Sequence, residues 1–129
     1  MSWGAARVAL DAKFITLSGI NTALIHWPNR KFTEPTSGGY WKVDFLPAAV
    51  EPEFSGAAHE KGVYQVSRFV QPDSGIGAAL ADVDAVIALF SRVVLSGPPS
   101  IQCGVPVAAP PIQEPNWLHI PVSIPFQVL

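Results

Sequence analysis

Residues 117–128 (WLHIPVSIPFQV) constrain the fold more than any other stretch. Leu118, Ile120, Val122, Ile124 and Phe126 recur at every second position, and Trp117, His119, Pro121, Ser123, Pro125 and Gln127 fill the places between. Side chains of an extended chain alternate between two faces, so the pattern describes one long strand with one apolar face. Pro121 and Pro125 lack an N–H, and their even spacing puts both gaps on the same side of that strand. An edge strand with its proline side turned outward accommodates this, and it also discourages edge-to-edge pairing. A bulge is the competing arrangement. The expectation is an edge strand.

The rest of the chain supplies material to cover that strand. Trp3, Leu10, Phe14 and Leu17 recur at helical spacing with Ala6 between them, and Ser2 is placed to cap and Gly19 to stop this helix. Residues 24–27 read as a short strand closed by Pro28-Asn29, and residues 40–46 as a second. In the latter, Trp41, Val43 and Phe45 share one face and Lys42 and Asp44 the other, as in a half-buried sheet. Residues 63–70 form the next strand. Ile76, Leu80, Val83, Ile87, Phe90 and Val94 then predict a helix with one apolar stripe, capped by Asp73 or Ser74 and ended by Gly97-Pro98-Pro99. Residues 101–108 read as a strand before Pro110-Pro111. Strands grouped between helices predict a single α+β domain over residues 1–129, with a mainly antiparallel or mixed sheet of about five strands packed by two helices. Two connections, 30–39 and 47–61, are long for so small a domain.

Charge is scarce. Charged residues make up 14% of the chain against roughly 25% in an average soluble domain. Hydrophobic residues reach 49%, and mean hydropathy is +0.30. So little charge leaves apolar surface for a partner, with an ordinary apolar-rich monomer as the alternative. A folded chain of this size exposes about 6,600 Å², so two neighbours covering roughly 800 Å² each would hide about a quarter of it. The net charge is −2, and only Arg30 and Lys31 adjoin among the cations, so there is no basic groove for nucleic acid. No apolar run approaches the ~20 residues of a membrane span, and the N-terminus lacks the long apolar core of a signal peptide. The expected location is the cytoplasm where the protein is made.

Catalytic equipment is not evident. Cys103 is the lone cysteine, and His26, His59 and His119 lack the spacing of a zinc site. His59-Glu60 sits in a loop rich in Gly and Ala. Gly75-Ile76-Gly77 lacks both the third glycine of a dinucleotide motif and the lysine of a P-loop. Neither an enzyme nor a cofactor is expected. The aromatic residues suggest contact surfaces instead. Trp3 and Trp117 lie in terminal segments, which are exposed more often, and Trp is enriched at interface hot spots. Phe32 and Phe54 are apolar residues in otherwise polar loops. These four are the interface candidates, with packing onto the chain's own core as the alternative for the two phenylalanines.

Taken in order, Ile25-His26-Trp27-Pro28-Asn29, Phe32-Thr33-Glu34-Pro35, Tyr40-Trp41-Lys42-Val43-Asp44-Phe45-Leu46-Pro47, Gly62-Val63-Tyr64-Gln65-Val66, Gly75-Ile76-Gly77-Ala78-Ala79 and residues 117–126 resemble a family of small phage and prophage proteins related to the lambda-type tail terminators. The resemblance covers nearly the full chain, and order and spacing carry it. It implies a structural protein with a helix-packed sheet and no catalytic residues. It further implies a ring of subunits, typically six, seated on the tail tube protein and facing the head–tail connector protein. Such a protein would be found in the host cytoplasm during assembly and then in the virion tail. A head–tail joining protein of the neck, or a small ligand-binding domain unrelated to phage, are the other readings.

Overall fold

A computed structural model describes residues 3–48, 61–97 and 100–129. Ser2, Phe54 and His59 lie outside the described residues, and with them the expected helix cap and one interface candidate.

Helix α1 spans Trp3–Phe14 and buries Ala6, Leu10 and Phe14, one residue per turn on a single stripe. It ends sooner than Gly19. Past Phe14 the backbone tightens, with Thr16 N–H donating to Lys13 and Leu17 N–H to Phe14, and Gly19 then turns the chain at φ +77°. A 3-10 turn, Thr22–Leu24, leads into strand β1, Ile25–His26. Strands β2 (Tyr40–Pro47) and β3 (Lys61–Val70) follow, then helix α2 (Gly77–Phe90). Four short strands come next: β4 (Val94–Leu95), β5 (Ile101–Cys103), β6 (Val107–Ala108) and β7 (Ile112–Gln113). The chain closes with β8, Leu118–Val128.

Among the described residues the strands form one mixed sheet of eight, ordered β1-β2-β3-β8-β5-β4, with β6 and β7 also pairing to β8. β1 runs parallel to β2, and the other pairs are antiparallel. The class is α+β as expected, with more strands than five. The segment 101–108 breaks into two strands, and β4 and β7 are too short to leave a periodic signal.

β8 is not an edge strand. It lies between β3 on one side and β5, β6 and β7 on the other. Both prolines face the second side, where Gly104 N–H donates to the Pro125 carbonyl and Ala109 N–H to that of Pro121. The facing chain adapts by bulging. From Cys103↔Phe126 to Val107↔Ser123 it uses one residue more than β8, and from Ala108↔Val122 to Ile112↔His119 it does so again. Each slip falls opposite a proline. At the first, Gly104 is required by close approach, because a Cβ there would stand 2.9 Å from the Pro125 ring.

Both helices pack on one face of the sheet. Phe14 meets Trp41 and Trp27 edge-on, and Trp3 meets Phe45 and Phe126 in the same way. Helix α2 packs on β3 and β8, with Phe90 against Tyr64. Its buried stripe is Ala79, Val83, Val86 and Phe90, which is rotated from the expected one. Ile76 and Leu80 are 41% and 40% exposed, and Val94 belongs to β4 rather than to the helix. Neither Asp73 nor Ser74 caps α2. Ile76 holds the N-cap position with no side-chain bond, Asp73 adopts a left-handed φ of +63°, and the Ser74 hydroxyl donates back to Gln71.

Candidate assembly surfaces

The sheet face away from the helices carries a second, smaller cluster of Tyr40, Phe69 and Trp117, with Leu24 and Phe32 packed against it. Register explains it: Tyr40 pairs with Phe69, and Phe69 with His119, so neighbouring strands present aromatic rings side by side. The rings follow one another across this face, stacked except for the tilted Phe32–Tyr40 pair. Centroid separations are 5.1 Å for His26–Phe32, 5.0 Å for Phe32–Tyr40, 4.7 Å for Tyr40–Phe69 and 4.6 Å for Phe69–His119. Trp117 stands edge-on to Tyr40 at 4.9 Å.

Two carboxylates border this stack. Trp117 Nε1 donates to Glu34 Oε2 at 3.0 Å. His119 Nδ1 lies 3.5 Å from Glu114 and forms no hydrogen bond among the described residues. Burial, with the charges of Glu34 and Glu114, pushes the Tyr40 hydroxyl up to about 12. The loop 28–39 is thereby tied to the start of β8.

These positions place three of the interface candidates. Trp117 is buried, which corrects the expectation that its position near the C-terminus leaves it exposed. Phe32 is half-buried between His26 and Tyr40. Trp3 is half-buried on the helix side of the sheet. Trp117 and Phe32 share the aromatic stack, and Trp3 lies on the other face. The sequence gives no sign that Glu34, 83 positions away, is the partner of Trp117.

On the helix side, polar groups are engaged with one another. The Tyr64 hydroxyl donates to Asp11 at 2.6 Å, and Arg7 bonds the other oxygen at 2.7 Å. Burial raises the pKa of Asp11, and Tyr64 and Arg7 partly offset it. Arg68 pairs with Asp82 at 3.0 Å and lies over the Trp41 ring. Burial pushes the Cys103 thiol up to about 11, which keeps it from being a ready nucleophile. Among the described residues no group of three or more His, Cys, Asp or Glu is placed to hold a metal. No helix among them is long and apolar enough to cross a membrane.

Comparison with known proteins assigns this architecture. The sequence profile of the phage tail terminator protein family matches residues 5–126, a span that reaches into every helix and strand. The chain belongs to the phage tail terminator protein family. Membership gives it a structural role in the phage tail, and the family is not an enzymatic one. A solved structure 24% identical to this tail terminator family member superposes with a TM-score of 0.81, covering 100% of this chain and 96% of the other. At that identity the likeness establishes the fold. No curated protein matches the chain.

Proposed function

We propose that the protein caps the finished tail tube, stops its polymerisation and offers the surface to which the head is joined. The observation that carries this reading is the family match over residues 5–126. In this reading the subunits form a ring, typically of six, on the last turn of tail tube protein. The opposite side of the ring meets the head–tail connector protein. Subunits are made in the host cytoplasm and end in the virion tail. A closed ring of identical subunits uses heterologous contacts that close by rotation. Exposed apolar residues such as Val8, Ile15, Leu80, Val107 and Ile112 favour a chain that is covered on several sides.

Electron microscopy of particles produced with this gene interrupted tests the reading. Abnormally long, headless tubes are the expected result. Tails of normal length that fail to join heads would make it a joining protein instead. Normal infectious particles would overturn both roles and favour a ligand-binding domain.

A further inference from the structure

Helix α2 is unusually bare of charge on its outer side. Ile76, Leu80, Asp84 and Ala88 follow one another at four-residue spacing, with Ala81 and Ala85 beside them, and all six are exposed. Residues four apart share a helix face, so this face is apolar with Asp84 as its single charge. Asp82, the other acid of α2, is held by Arg68, whereas Asp84 forms no ion pair among the described residues.

At the β1 edge of the sheet lies a groove of about 740 Å³ between the outer side of α1 and the chain that follows β1. Its apolar lining includes Ala12, Ile15, Ile25 and Trp27. Arg7, Arg30 and Lys31 supply three cations, and Asp11 is the one acid among the described residues. Both oxygens of Asp11 are already engaged, by Tyr64 and Arg7. Arg30 and Lys31 are exposed and form no ion pair among the described residues. The groove is therefore apolar with excess positive charge, the complement of the α2 face.

The two surfaces share no residue, so they are separate patches of one subunit. The groove marks one end of the strand order. Helix α2 packs on β3 and β8 and leads into β4, the strand at the other end. A ring requires two different patches on each subunit, each matching the other on its neighbour.

We infer that the outer face of α2 of one copy docks in the β1-edge groove of the next, with Asp84 facing Arg30 and Lys31. The contact deepens the capping reading, from which it takes the ring. It has its own test.

Reversing charge on either side, by Asp84→Lys or by Arg30→Glu with Lys31→Glu, is expected to lower the yield of normal-length tails about tenfold in complemented particles. The combined triple variant is expected to recover most of that loss. All these side chains are exposed, so thermal unfolding of the purified variants should be unchanged. Carbodiimide cross-linking of a mixture of isotope-labelled and unlabelled protein, on tails, should join Asp84 of one copy to Lys31 of another. Silent reversals, or a triple variant no better than its parts, would overturn the contact. So would a groove reversal that blocks assembly while Asp84→Lys does not, since the groove would then take the tail tube. If interrupting the gene leaves tails normal while the intercopy cross-link forms, the capping reading falls and the contact stands.

Discussion

Glu34 and Trp117 illustrate what a single residue contributes here. A carboxylate accepting an indole N–H is a charge-assisted bond, and it fastens the loop 28–39 to the sheet. Replacing Trp117 with Phe keeps a ring against Tyr40 but removes that bond. The expected cost is about 1 kcal/mol at the exposed Glu34, read from urea midpoints. Tyr40 and Cys103 carry a pH signature. Their protons are held up to about 12 and about 11 in the fold, against ordinary values near 10 and 9. Folding is thus supported below pH 9, and that support is lost as pH rises, first through the Cys103 range and then from 10 through 12 for Tyr40. The melting temperature should fall across this alkaline window. Tyr40→Phe, which preserves the stack, should lessen the fall above pH 10, to which the buried Tyr64 hydroxyl, also raised, contributes as well; an unchanged profile would exclude Tyr40 as a source.

Among elements, the bulged partner of β8 explains the largest departure from the sequence reading. A missing N–H forbids a regular ladder at Pro121 and Pro125, yet it does not forbid a neighbour. The segment 101–113 pairs in three short pieces and spends its extra residues where β8 has no donors. Gly104→Ala should therefore cost roughly 1–3 kcal/mol through its clash with the Pro125 ring. Adding Pro125→Ala should return part of it, a coupling that a double-mutant cycle measures. If the two changes are simply additive, the contact is not the cause. Helix α2 was legible as a helix but not in its rotation, because apolar residues occupy both its faces. Periodicity cannot choose between Ile76–Leu80 and Ala79–Val83 when both sets are apolar, and it is Ala79 and Val83 that are buried. The stripe of α1 and the alternation of β2 and β8 were legible because each has a polar side to contrast with an apolar one.

For the whole molecule, one sheet links two clusters. The larger lies under the helices and the smaller is the aromatic stack behind. Since β2, β3 and β8 contribute to both, neither can come apart without breaking the same ladders. Circular dichroism and tryptophan fluorescence should therefore report one coincident unfolding transition, even though Trp41 and Trp117 sit in different clusters. Two separated transitions would mean that the back cluster opens by itself. The class and single-domain organisation were open to a sequence reading, because alternation and helical spacing are local. The surfaces were not, because they depend on which distant segments share an edge: the groove joins α1 to residues 25–31, and the aromatic stack joins β1, β2, β3 and β8.

The interrupted pairing along β8 also bears on how such a chain can change length. An insertion in a continuous ladder shifts every later residue to the opposite face. Here each of the three short pieces is registered on β8 by itself, and the residues between them, 104–106 and 109–111, already hold one residue more than the β8 stretch they face. A residue gained or lost at either place can be absorbed there, leaving the pieces on both sides where they were. The two prolines thus make this stretch a natural site for length variation within an otherwise fixed sheet.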